Sequence, residues 1–255
     1  MQNNTFSSLI VGQKIVALQQ VDSTNNYLKL QLAKCEPLPE GTVILAEEQY
    51  AGRGQAGNTW HSQTGKNLTF SILLYPVFIK PDSQFSLNIA VSLAINDVLR
   101  PIVGSGAKIK WPNDIFYGDK KLGGVLIENS LQGSQLKSSV IGIGINVNQT
   151  SFPESVSNVS SIKEILHQDY DLNVLLQQLC KAIDRRYFEL KNNPGTQFTE
   201  YLDILFRFNE DHPFIIDGRQ QLARIVGIDE RGQLELDING SVRSFNLKEV
   251  SFVIP

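Results

Sequence analysis

The sequence predicts an α+β fold: a mixed or antiparallel sheet with helices on one side, plus a small C-terminal β-barrel. Three observations carry this. Apolar and β-branched residues gather in short runs punctuated by glycine, proline and asparagine, as strands require. One long segment instead repeats Leu87, Ala90, Val91, Ala94, Ile95, Val98 and Leu99 at helical spacing, which describes a helix lying flat on a sheet. Beyond Asn209 only hairpin-like pieces remain. Runs of strands with segregated helices, rather than a strict alternation of the two, favour α+β over a doubly wound sheet.

In chain order, Asp22 and Ser23 both suit the N-cap of a helix to about Ala33 that carries Tyr27, Leu28 and Leu32. Strands follow at 42–49, 67–76, 107–114, 121–130 and 139–148, with the long helix between the second and third. A helix over 171–190 aligns Leu172, Leu176, Leu179, Ile183 and Tyr187, and a shorter one follows at 197–208. The tail reads PFIID, QLARIVGI, a DERG turn, QLELDI, the Asn239-Gly240 hairpin signal and SVRSFNLKEVSFVI. A division follows, 1–208 for the main body and 209–255 for the barrel; so short a run of hairpins is expected to dock on the body rather than stand alone.

Composition bounds the function. The 255 residues are 42% hydrophobic, enough for a sizeable core, and a net charge of -3 leaves no global basic field for nucleic acid or anionic lipid. Any cationic site must be local. Two cysteines, Cys35 and Cys180, read as free buried thiols, and His61, His167 and His212 lack metal-ligand spacing. With no signal-peptide pattern and no apolar run near the ~18 residues of a membrane span, a cytoplasmic protein without membrane contact is expected.

Four stretches could carry chemistry. In AGRGQAGNTW (51–60), Gly52, Gly54 and Gly57 let backbone N–H groups approach a bound oxygen, while Arg53 offers a planar fork for carboxylate or phosphate. An anion-binding lid fits; so does a solvated loop with an incidental arginine. The run is neither a Walker A loop nor a dinucleotide fingerprint. In KWPND (110–114), Pro112 ends a strand so that Asn113 and Asp114 emerge at its tip, where Asp114 could hold a hydrated Mg²⁺ or both side chains could cap a turn. In KKLGGVLIE (120–128), Lys121 precedes Gly123 and Gly124, residues that suit a bulge or a ligand pressed on the backbone. In IGIGIN, Gly142 and Gly144 share one face and Ile141, Ile143 and Ile145 the other, leaving a smooth floor for a ligand or for a packed helix. Combined, they describe a pocket for two anions. A carboxylate attacking the α-phosphate of ATP is such a reaction; at 4 Å and an effective dielectric of 20 the two charges repel by about 4 kcal/mol, which Arg53, Lys121 and Mg²⁺ would offset.

The set of motifs resembles the biotin protein ligases over nearly the whole chain: DSTNN (22–26), EEQYAGRGQAGNTW (47–60), KWPND, KKLGGVLIE, GIGINVN (142–148) and GIDERGQLEL…KEVSF. The resemblance implies a two-step reaction. Biotin and ATP give biotinyl-5′-adenylate and pyrophosphate; a lysine of a biotin carboxyl carrier protein then attacks the mixed anhydride. It implies biotin contacts at Ser23, Thr24, Asn25 and Gln49, a loop of Arg53, Gly54 and Gln55 folding over biotin and the adenylate, and an apolar wall at Trp60. It also implies carboxylate and phosphate binding at Lys121, a nucleotide and metal end at Asn113 and Asp114, and a floor of Gly124, Gly142, Gly144 and Asn146. Arg53, Lys121 and Asp114 are the expected catalytic groups. Repressor-type members carry a second arginine where this chain has Gln55, Ala56 and Asn58, a departure that bears on how the adenylate is retained.

Three rival readings compete with this one. Lipoate or octanoyl ligases share the chemistry but carry a different glycine-rich motif. Biotin-responsive repressors add an N-terminal helix-turn-helix domain, for which the about 20 residues before DSTNN are too few, so no DNA binding is expected. A non-catalytic biotin-binding module would need neither Lys121 nor Asp114. A monomer or a sheet-to-sheet homodimer fits the resemblance, with 139–148 as the candidate edge.

Overall fold

The computed structural model describes residues 9–34, 38–154 and 156–254, so Cys35 lies outside the described residues. Period-two alternation builds the larger sheet. Its strands are β1 (Ile15–Val21), β2 (Val43–Gln49), β3 (Leu68–Leu74), β4 (Ala107–Lys110), β5 (Asp114–Tyr117), β6 (Lys120–Gln132) and β7 (Gln135–Ile145). They form a seven-stranded sheet in the order β1-β2-β3-β7-β6-β5-β4. Only β1 and β2 are parallel; the other neighbours are antiparallel, so the sheet is mixed. β7 sits between β3 and β6, which corrects the expectation of an edge at 139–148: the edges are β1 and β4. The expected strand 107–114 is also divided. Pro112, after a cis peptide bond from Trp111, interrupts it, and β4 and β5 fold back as a hairpin with Lys110 opposite Asp114.

Helices cover both faces, not one. α2 (Phe85–Val103) and α4 (Leu172–Asn192) pack together on one face, burying Leu87, Val91 and Ile95 with Phe70, Ile72, Ile141 and Ile143. α1 (Thr24–Leu32) takes the other face, where Leu28 meets Ile44, Leu73 and Val140. The side-chain alternation of β3 explains this: Ile72 and Leu74 point one way, Leu73 the other, and every residue of the strand is buried. Asp171 caps α4 by accepting from Asn173 N at 2.8 Å and Val174 N at 3.1 Å. Two shorter helices, α3 (Ile162–Leu166) and α5 (Thr196–Asp203), complete the body. By length and composition alone Pro81–Val103 is apolar enough to cross a membrane, but most of that stretch is buried inside the fold, as a core helix is.

The tail forms a second sheet of β8 (Asp211–Ile216), β9 (Arg219–Ile228), β10 (Leu234–Ile238), β11 (Ser241–Phe245) and β12 (Val250–Phe252), in the order β11-β10-β9-β8-β12. It is an open sheet rather than the expected barrel. β11 buries only Phe245 and β12 spans three residues, so the two edges have too little apolar surface to enclose an interior, and no pairing joins them among the described residues. Trp111 Nε1 donates to Gly232 O at 2.9 Å, and Phe206 stacks between Phe116 and Phe252 at 5.4 and 6.3 Å. These contacts hold the second sheet against the mouth of the first.

Candidate active site

The glycine face of β7 and β6, the start of α1 and the loop after β2 enclose a cavity of about 380 Å³. Its floor is smooth for a steric reason. A Cβ on Gly142 would lie 2.5 Å from Asn25 Oδ1, and one on Gly144 would lie 2.5 Å from Trp60 Cε2. On Gly124 it would lie 3.0 Å from Asp114 Oδ1. At one end, Gln49 Oε1 accepts from Thr24 N at 2.8 Å and Thr24 Oγ1 at 3.0 Å, while Ser71 Oγ donates to Asn25 Oδ1 at 2.6 Å. Ser23 caps α1 by position yet makes no side-chain capping bond, which leaves its buried hydroxyl at the cavity wall. Asp22 instead accepts from Asn26 at 2.7 Å. This end is built of short neutral donors and acceptors, suited to an uncharged polar ring.

The loop 52–60 is a small hairpin over the cavity. Trp60 N donates to Gly52 O at 3.0 Å and Gly54 N to Asn58 O at 2.7 Å, with Gln55–Gly57 as a 3-10 turn at the tip. Arg53 lines the cavity and forks onto Glu128, Nη1 to Oε2 and Nη2 to Oε1 both at 3.0 Å, and gives Nη1 to Asn26 Oδ1 at 2.8 Å. Glu128 also accepts from Lys29 at 2.7 Å and Asn25 at 2.9 Å. Burial pushes its carboxyl upward, but the hydrogen bonds from Lys29, Arg53 and Asn25 outweigh this and hold it below the usual carboxylate range.

At the opposite end Lys121 Nζ stands 2.6 Å from Asp114 Oδ1. Lys110 stands half-buried beside them, with Nζ 4.6 Å from the Phe252 ring centroid and 5.4 Å from that of Phe116. Its ammonium is held below the ordinary lysine value, first by burial, against the pull of Asp114 and with the push of Lys121 and Arg207. Asn113 is buried and bridges to β6: its Nδ2 donates to Val125 O, and its own carbonyl accepts from Val125 N at 2.9 Å.

Of the residues singled out by sequence, Ser23, Thr24, Asn25, Gln49, Arg53, Gly54, Gln55, Trp60, Asn113, Asp114, Lys121, Gly124, Gly142 and Gly144 all line this cavity. Asn146 does not; its amide donates to Ser160 O at 3.1 Å behind the floor. Its place after Ile145 carries it past the last paired residue of β7. Sequence reasoning missed Glu128, whose position at the end of the LIE run carried the only signal. It gave Lys110 and Trp111 no role although both stand in KWPND. It also missed the wall contributed by Leu247, Lys248 and Phe252, where KEVSF was the available sign. Among the described residues no cluster of three His, Cys, Asp or Glu could hold a metal, and Asp114 is the one carboxylate on the cavity wall.

Comparison with known proteins agrees with this geometry. Residues 17–146 match the Biotin/lipoate A/B protein ligase family. The chain is 30% identical to the bifunctional ligase/repressor BirA of Escherichia coli, over 94% of this chain and 74% of that protein. It is 26% identical to the biotin-acetyl-CoA-carboxylase ligase of Mycobacterium tuberculosis, over 89% of this chain and 85% of that one. The biotin protein ligase of Aquifex aeolicus, solved in complex with biotin and ATP, superposes with a TM-score of 0.78 at 27% identity, covering 95% of this chain and 100% of the other. With a family match over half its length and a relative of this identity aligned almost throughout, the chain belongs to the biotin/lipoate A/B protein ligase family, among relatives that are biotin protein ligases.

Proposed function

We propose that the protein activates biotin with ATP to biotinyl-5′-adenylate and transfers the biotinyl group to a lysine of a biotin carboxyl carrier protein. One observation carries the reading: Arg53 and Lys121, from different elements, line the same cavity as the neutral polar end formed by Thr24, Asn25 and Gln49. The ureido ring takes the neutral end, and the carboxylate points toward the cations. In the first step a biotin carboxylate oxygen attacks the α-phosphorus and the bond to the bridging oxygen of the β-phosphate breaks, pyrophosphate leaving with the electron pair. Arg53 and Lys121 screen the meeting of two anions, most strongly where charge gathers on the α-phosphate. In the second step the carrier amine attacks the biotinyl carbonyl and AMP departs. Trp60, packed on Gly144, excludes water from the anhydride while it waits.

Asp114 already pairs with Lys121, so the donor set fits magnesium carried in on the nucleotide rather than a resident ion. Bound there, with Asp114 beside it, the ion would neutralise phosphate charge. The relatives support the assignment: the Aquifex aeolicus protein binds biotin and ATP, and the Mycobacterium tuberculosis one is named for the carboxylase it serves. The reading puts the protein in the cytoplasm, where ATP and carrier are synthesised, and assigns it no DNA site. It also takes residues 209–255 as a docked accessory unit and leaves 1–208 to the chemistry. The test is pyrophosphate release on adding biotin and ATP, followed by mass gain on an added carrier domain. Release that required lipoate in place of biotin would overturn it.

A further inference from the structure

Glu128 lies off the cavity wall, half-buried, and gathers donors from two places: Lys29 Nζ at 2.7 Å and Asn25 Nδ2 at 2.9 Å from α1, and the Arg53 fork at 3.0 Å from the glycine loop. One carboxylate so fully used fixes its partners as well as itself. Of these partners the loop has the greatest need. Ala56 to Thr59 are exposed, and Arg53 is the only charged residue from Ala51 to Trp60. Among the described residues, the bonds of Arg53 to Glu128 and Asn26 are the only hydrogen bonds that tie residues 53–59 to anything outside the loop. A segment with so few contacts opens easily unless that tie holds.

The tie does not spend the charge of Arg53. Lys29 and Arg53 together face a single carboxylate, so the trio keeps one net positive charge, and of the three it is Arg53 that lines the cavity. The fork uses Nη1 and Nη2, while Nε has no partner among the described residues. We infer that Glu128 is a positioning residue: from outside the cavity it latches Arg53, and with it the glycine loop, over the bound adenylate. The latch matters here because the loop tip, Gln55-Ala56-Gly57-Asn58, has no second cation to grip the ligand. This inference rests on the ligase reading for the identity of the ligand, but the latch itself is tested without one.

The parent, Glu128→Gln, Arg53→Ala and the double variant are compared in two measurements at pH 7. Hydrogen exchange of the amides of residues 52–60 is followed without added ligand, and the release of bound biotinyl-5′-adenylate is followed after a chase with excess unlabelled adenylate. Glutamine keeps an oxygen for Asn25, whose amide also donates to Leu126 O at 3.3 Å, so the neutral end of the cavity stays in place; a thermal melt checks the fold. Glu128→Gln should speed both processes about fivefold, as expected for a partly exposed ion pair. The double variant should be no faster than Arg53→Ala alone, because the carboxylate acts through the guanidinium. Salt at about 1 M should bring loop exchange in the parent up to the Glu128→Gln rate and leave the variant unchanged. Unaltered exchange in Glu128→Gln overturns the latch, as does an equal acceleration in the Arg53→Ala background, which would make Glu128 merely structural. Faster exchange with unchanged adenylate release also overturns the inference, since the latch would then retain nothing. A parent that binds no biotinyl-5′-adenylate would sink the ligase reading instead, and loop exchange would still decide whether Glu128 holds Arg53.

Discussion

Arg53 and Lys121 are each held by an acid, and the two acids differ in what they do. Asp114 lines the cavity and Glu128 stands outside it, so substrate meets the Lys121 pair directly and the Arg53 pair only at its inner edge. Lys121→Ala removes the charge that matters most as the two anions meet, so adenylate formation should slow by about 10²-fold while biotin affinity changes less than about threefold. Rapid-quench adenylate formation set beside calorimetric biotin binding checks this; matched losses would reduce Lys121 to a binding role. Glu128→Gln tests the other anchor. The carboxyl is held below its ordinary value in the fold, so its stabilisation is complete above the unfolded value, about 4.3, and is lost as pH falls through the lower folded value. The parent should therefore lose stability more steeply than Glu128→Gln below about pH 4 in denaturant titrations. Parallel acid limbs would mean that Lys29 and Arg53 do not hold the carboxylate in solution.

Elements that pack by pattern were legible before the structure, and elements that pack by context were not. The long helix α2 announced itself because its apolar residues repeat at helical spacing from Leu87 to Leu99, and the glycine and isoleucine faces of β7 separate as alternation requires. β1 escaped notice: it is an edge strand with largely exposed residues and a parallel partner, and its Val16 and Leu18 have too few companions to set a period. Nor could alternation reveal that α1 would claim the second face, since that depends on Leu73 and Val140 finding Leu28 across the sheet. The glycines yield a prediction at this scale because the strands use them differently. A Cβ on Gly123 would meet the Gly144 carbonyl at 2.6 Å, inside the sheet, whereas one on Gly144 meets the Trp60 ring. Gly123→Ala should therefore cost about 1–3 kcal/mol of folding stability. Gly144→Ala should leave the melt almost unchanged but shift Trp60 emission and weaken nucleotide binding, because a loop side chain yields more easily than a ladder. A large stability loss in Gly144→Ala would show that the Trp60 loop is part of the core.

At the scale of the whole molecule the two sheets meet around one half-buried ammonium. Lys110 ends β4, its Nζ lies over Phe116 of β5 and Phe252 of β12, and beside it Trp111 donates to Gly232 in the terminal sheet. Taking this charge out of water lowers its protonation in the fold, and Asp114 restores only part of the loss. The sign of the effect on stability follows. The unfolded chain holds the proton more tightly, so Lys110 costs folding free energy at neutral pH, and the cost fades as pH rises toward the free-lysine value near about 10.4. Lys110→Met keeps the length and the ring contacts without the charge, so at pH 7 it should raise the melting temperature by about 2–4 °C, with the gain shrinking as pH approaches about 10. Because the same ammonium lines the cavity where phosphate would lie, the stabler variant should turn over ATP more slowly. Melting curves across the alkaline range, set beside biotin-dependent pyrophosphate release, test both halves. A variant less stable at pH 7 would mean that the attraction of Lys110 to the two rings and Asp114 exceeds the cost of its burial, and that the joint between the sheets is held by charge rather than in spite of it.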